Sequence, residues 1–213
     1  MPADTAPHLV YFADPMCSWC WGFSPVIHAI QRDFGDALPI RLVLGGLRPG
    51  TRVPMRDADR ADVREHWQHV HAMTGQAFDW SFFDRPGFVY DTEPACRAVV
   101  VLRRRGETLA LRALRDIQHA FYAANRDVTD LAVLSSIASG LGVDAAEFER
   151  DWLSPQAAQD TRADFALAQA SGIRGFPTLI AGRGGDVPYS LVTHGYRAAE
   201  AILPELRAWL AAR

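Results

Sequence analysis

The chain contains no lysine: all 22 of its basic residues are arginine. That excludes Schiff-base chemistry, pyridoxal phosphate attachment and the lysine of a P-loop. Basic and acidic residues nearly balance, 22 against 25, and are spread along the chain, so no broad basic face is offered to a phosphate backbone and nucleic acid is not expected as a partner. No apolar run approaches the ~18 residues of a membrane span. Met1 to His8 is short and polar, without the apolar stretch of an export signal, so the cytoplasm is the expected location and no membrane partner is expected. Cysteine is scarce as well. Three in 213 residues do not make a disulfide scaffold, and in a reducing compartment a close pair points to catalysis or to metal.

What is present is enough apolar material, 49% of residues, to bury one sizeable core or two small lobes. Leu9 to Phe12 is a short β-prone run that Asp14-Pro15 breaks. Trp21 to Phe34 then has helical spacing, with apolar residues at Phe23, Val26, Ile27, Ile30 and Phe34. Pro25 lies inside that helix, where its missing N–H and its ring should kink it, and Gly35 ends it. Ile40 to Leu44, bounded by Pro39 and Gly45-Gly46, suits a strand buried on both faces and parallel to the first. From about Arg56 to Ala170 the pattern is helical, with punctuation at Gly75, Pro86-Gly87, Pro94, Gly106, Asp127, Gly140 and Pro155. Thr178 to Ala181 and Tyr189 to Thr193 read as two strands around a Gly182 to Asp186 turn, and Arg197 to Leu210 as an amphipathic helix. The expected fold class is therefore α/β: a βαβ unit, an all-helical insertion, then ββα. The division this implies is one split domain, residues 1–53 with 172–213, carrying a helical lid over residues 54–171.

Cys17 and Cys20 stand three apart where a strand hands over to a helix, so both thiols share one face of the first turn. Unpaired N–H groups and the positive dipole end of a helix stabilise a thiolate, and such placement lowers a cysteine pKa from ~8.5 toward ~3.5–7.5. Cys17 is then the natural nucleophile, attacking a disulfide to give a mixed disulfide that Cys20 resolves. A structural zinc half-site is the rival reading. It needs two further ligands, which His66, His69 and His71 offer only poorly: 66 and 69 share a helix face, 71 points elsewhere, and all three read as surface residues, so no metal is expected. Asp14, three residues before Cys17, is either a proton relay for Cys20 or only a turn residue. Trp21 reads as a packing residue. Cys96 is either a third redox thiol or a small buried apolar residue. Arg103-Arg104-Arg105 reads as the solvated C-terminus of a helix, its charge complementing the dipole.

With these residues in view, Tyr11-Phe12-Ala13-Asp14-Pro15-Met16-Cys17-Ser18-Trp19-Cys20-Trp21-Gly22-Phe23 resembles the opening of DsbA-like thioredoxin-fold oxidoreductases, in particular the cytoplasmic FrnE-like branch. The resemblance extends through Ala120 to Asp130, Leu134 to Gly142 and Gly172 to Thr178. It implies a thioredoxin fold split by a helical domain, the order read independently above. It further implies that Phe176-Pro177 is a cis pair facing the thiols, that Phe176 presents its backbone to substrate, and that Ser18 and Trp19 tune the dithiol. Expected substrates are disulfide-containing proteins or small molecules, with the thioredoxin or glutathione system as electron partner, glutathione as a candidate co-substrate, no other cofactor, and a homodimer as one assembly. Reductase, oxidase and isomerase directions stay open. Kappa-class transferases and hydroxychromene-carboxylate isomerases resemble the same split fold, but they typically carry serine where Cys17 stands and lack a resolving cysteine. A non-enzymatic zinc-bound or redox-sensing module is the third alternative.

Overall fold

The computed structural model describes residues 6–185 and 187–212. Of the Gly182 to Asp186 turn, Asp186 lies outside them, as do Met1 to Thr5 of the polar N-terminal stretch. At the centre is β1 (His8–Ala13), buried along its whole length. It pairs in parallel with β2 (Ile40–Leu44), in the register Leu9 to Ile40 through Ala13 to Leu44. On its other side it runs antiparallel to β3 (Thr178–Gly182), which pairs antiparallel with β4 (Ser190–His194), giving the order β2-β1-β3-β4. Side chains alternate across a strand, so Leu9, Tyr11 and Ala13 join one core while Val10 and Phe12 meet Val43 and Ala168 on the opposite face.

The first helix, α1 (Ser18–Phe34), starts three residues before its apolar spacing does, which puts Cys20 inside the first turn and makes Cys17 the N-cap. Gly35 ends it at a positive φ of 48°. Pro25 sits within it, and the carbonyl that Pro25 leaves without an intrahelical donor, that of Trp21, accepts Nε2–H of Gln76 at 2.8 Å. At Gly22 an added Cβ would meet Val70 Cγ1 at 2.9 Å. This glycine lets α1 lie directly against the next helix.

That helix, α2 (Asp57–Thr74), opens the insertion, which continues with α3 (Glu93–Arg103), α4 (Glu107–Tyr122), α5 (Leu131–Gly140), α6 (Ala145–Leu153) and α7 (Pro155–Ala170). Fully buried Trp67 is its hub, within 5.1 Å of the ring centres of Phe78, Phe82, Phe83 and Tyr122. Truncating such an aromatic costs about 3–5 kcal/mol. The same buried cluster takes in Tyr11, Phe23 and Trp21, so the helices and the sheet share apolar packing around the end of β1. A final helix, α8 (Ala199–Ala211), covers the α1 side of the sheet.

Arg103 departs from the sequence reading of the arginine triplet, whose other two members are exposed at the end of α3. Arg103 donates to both carboxylate oxygens of Asp164 and to the Leu42 carbonyl, Arg104 pairs with Asp160, and Arg105 reaches Glu147. Consecutive side chains diverge around the end of α3 and find acids on α7 and α6; Arg103 clamps the insertion to β2, while Arg104 and Arg105 stay exposed at the helix end. No helix among the described residues is long and apolar enough to cross a membrane.

Candidate active site

Asp14-Pro15-Met16 turns the chain out of β1 and into α1. The backbone N–H of Met16 donates to Asp14 Oδ1 at 2.8 Å, and that of Cys17 to the Asp14 carbonyl at 3.1 Å. The turn delivers Cys17 to the helix cap, where the unpaired first-turn N–H groups lie, and Cys20 to the turn behind it. Both cysteines are free thiols and both are buried, Cys17 at 6% exposure and Cys20 at 0%. Burial, followed by the hydrogen bond and charge of Cys17, pushes the Cys20 thiol well above its ordinary range.

A second loop comes from more than 150 residues away. The Phe176–Pro177 peptide is cis, and the Phe176 carbonyl accepts the Cys17 thiol at 3.5 Å. The Phe176 ring lies over Gly45, where a Cβ would come within 1.8 Å of ring carbon Cζ; only a residue without a side chain allows this fit. Ser18 and Trp19 are half-buried beside the thiols, with Trp19 6.3 Å from the ring of Tyr196. Trp21 turns away, stacking on Tyr122 and donating to the Ala77 carbonyl, in a packing role.

Asp14 does more than turn the chain. Its fully buried carboxylate accepts the backbone N–H of Leu47 at 2.7 Å and the Cys96 thiol at 3.4 Å, and is hydrogen-bonded to the Thr92 hydroxyl. Thr92 in turn accepts the backbone N–H of Arg48 at 3.1 Å. Burial raises the Asp14 pKa and these hydrogen bonds hold it back. Cys96, fully buried on α3, is pushed up by burial and then by the Asp14 charge. Asp14 thus ties the active turn to the segment after β2 and to the start of α3, and it meets Cys20 only through its backbone N–H and its charge.

Beside Cys17 opens a cavity of about 270 Å³, walled by Trp19, Trp67 and Phe176 and carrying two basic side chains, Arg48 and His66. Sequence reasoning left Arg48 unremarked and read His66 as a surface residue; it is exposed, and it also faces this cavity. His71 instead bonds the Gln76 carbonyl. Tyr11 and Tyr90 were missed too. The Tyr90 hydroxyl donates to the Met16 carbonyl at 2.6 Å, pinning the residue before Cys17. Among the described residues no three His, Cys, Asp or Glu side chains are grouped to hold a metal ion.

Residues 8–201 match the DSBA-like thioredoxin domain family. A candidate protein disulfide isomerase from Nitrosomonas europaea superposes with a TM-score of 0.88 at 39% identity, covering 96% of this chain and 98% of its own. The cytosolic disulfide reductase DsbM of Pseudomonas aeruginosa superposes at 0.73 with 27% identity, covering 96% of this chain and 95% of its own. DsbM has also been solved with GSH; that structure superposes at 0.71 with 25% identity and covers 96% of each chain. The ClpXP adapter protein SpxH of Bacillus subtilis is 24% identical over 171 residues, 79% of this chain but 56% of SpxH, so the chain spans little more than half the length of these curated relatives.

Proposed function

The chain belongs to the DSBA-like thioredoxin domain family, and on that premise we propose that it is a cytoplasmic disulfide reductase working through Cys17 and Cys20. The observation that carries the reading is the dithiol itself, with Cys17 at the cap of α1 beside a cavity and Cys20 buried behind it. The Cys17 thiolate attacks a substrate disulfide, forming a Cys17-substrate mixed disulfide and releasing the first substrate thiolate. The Cys20 thiolate then attacks Cys17 Sγ, forming the Cys17–Cys20 disulfide and releasing the second. Two molecules of a small thiol return the protein to the dithiol and leave as their own disulfide.

Glutathione fits the last role. The cavity beside Cys17 is apolar with two basic side chains and no carboxylate in its wall, which suits a small thiol carrying carboxylates. The complex of DsbM with GSH supports this choice, and the cytosolic setting of DsbM supports the location. Reduction is favoured as the direction because a buried thiol of raised pKa is a poor leaving group, so the Cys17–Cys20 disulfide resists reduction and the dithiol gives up its electrons readily. The presence of both thiols argues against the isomerase and transferase reading, whose members typically lack the pair. The adapter role is that of SpxH, of which the matched stretch covers 56%. Turnover of a small disulfide by glutathione tests the proposal: it should vanish in Cys17→Ser. Turnover that survives Cys20→Ser unchanged would replace a dithiol cycle with glutathione-dependent transfer or isomerisation.

A further inference from the structure

Tyr11 points from β1 into the core behind the active turn, its ring centre 5.9 Å from that of Phe23. Its side chain is 1% exposed, and its hydroxyl has no hydrogen-bond partner of normal geometry among the described residues. A buried hydroxyl left in that state costs about 1–3 kcal/mol, which phenylalanine at the same place would avoid. The Cys20 thiol, in the same buried cluster, is the group whose hydrogen bond and charge act on this hydroxyl.

We propose that the Tyr11 hydroxyl is the hydrogen-bond donor to the Cys20 thiolate, engaged when Cys20 carries charge during disulfide exchange; this rests on the redox reading above. The titratable groups that act on Cys20 are Cys17 on its own helix, Asp14 on the turn and Tyr11 on β1. The Asp14 charge disfavours a negative Cys20 throughout and the Cys17 charge does so in the reduced dithiol, while the Asp14 backbone N–H works the other way. When an external thiolate attacks Cys17 of the Cys17–Cys20 disulfide, the new bond forms at Cys17 Sγ. The electron pair of the broken bond goes to Cys20 Sγ, which leaves as a thiolate in a dry pocket. The Tyr11 O–H turns to that sulfur, keeps its own proton, and releases the hydrogen bond once Cys20 takes a proton from water. In the opposite direction the same contact holds the attacking Cys20 thiolate. Burial and the Cys20 charge keep the phenol protonated well above its ordinary range, so it remains a donor when Cys20 ionises.

Tyr11→Phe tests this, because it keeps the ring and removes only the oxygen. Reduction of the oxidised protein by dithiothreitol should slow roughly fivefold or more, since a leaving thiol of higher pKa departs more slowly. In a Cys17→Ser background, the ultraviolet thiolate titration of Cys20 should move up by about one unit or more, the effect of losing one hydrogen bond to a charged group. Thermal stability should hold or rise. A purely structural tyrosine would leave both the rate and the titration unchanged, and that result overturns the proposal. If mass spectrometry finds no Cys17–Cys20 disulfide in wild type or variant, the redox reading itself falls, and the role of Tyr11 with it.

Discussion

Cys17 Sγ donates to the Phe176 carbonyl oxygen at 3.5 Å, across 159 positions of sequence. The contact places the outer thiol against the loop that carries Phe176, while Cys20 stays behind it at 0% exposure. The two cysteines therefore fail differently when replaced. Cys17→Ser should abolish reduction of insulin. Cys20→Ser should leave the first attack intact and trap a substrate as a mixed disulfide on Cys17, visible as a mass adduct that a reductant removes; adducts on Cys96 instead would contradict the assignment.

Gly45 is needed by Phe176. A methyl group there would enter the Phe176 ring, and Gly45 is not free to retreat, because its N–H is bound to the Ala13 carbonyl at 2.8 Å. Gly45→Ala should destabilise the protein by about 1–3 kcal/mol, the usual cost of overpacking, and slow disulfide exchange as Phe176 shifts from Cys17. Denaturant titration and insulin reduction check the two effects.

Much of this arrangement was legible in sequence. The β-run before Asp14, the apolar spacing after Cys20 and the second run at Ile40 to Leu44 are local signals, and they located β1, α1 and β2 within a few residues. The apolar spacing of α1 begins only at Trp21, because Ser18, Trp19 and Cys20 carry no helical periodicity of their own; it was the spacing of the two cysteines that put them in the first turn. Partners supplied by distant segments have no local signature. Asp14 meets Leu47, Thr92 and Cys96 only through the fold, and His66 on α2 reaches the cavity in the same way. Arg103 misled for the same reason, its acid standing on α7. Tyr11 resembled any aromatic in a buried strand. Its one signal was alternation, which sets it on the face of β1 that meets α1.

Asp14 is a clamp with a pH signature. Its pKa is raised in the folded protein, so the folded state binds its proton more tightly than the unfolded chain does. The stability it contributes is complete below the unfolded value of about 4 and declines as pH rises through the folded value. Asp14→Asn removes that dependence. The destabilisation of the variant, measured by urea unfolding, should be larger near pH 4 than at pH 7, and should include about 1–3 kcal/mol from donors left facing an amide nitrogen.

Arg103 and Asp164 form a pair with side-chain exposures of 22% and 10%, and Asp164 also accepts the Leu44 backbone N–H at 2.9 Å. Removing the guanidinium leaves a carboxylate without its cation, a loss of about 3–5 kcal/mol. Arg103→Met should show it in chemical denaturation. The double variant Arg103→Met with Asp164→Leu should recover most of it; equal losses in both would show that the arginine acts through packing alone.

A redox titration of the Cys17–Cys20 pair tests the account most directly. The purified protein is equilibrated in glutathione buffers of graded ratio, quenched with acid, and its thiols alkylated and weighed. A dithiol reductase gives one reversible two-electron transition confined to Cys17 and Cys20, on the reducing side, near the thioredoxin value of about −270 mV. A transition near the about −120 mV of a strong oxidant would contradict the reductase assignment. No transition at any ratio would contradict the dithiol mechanism itself.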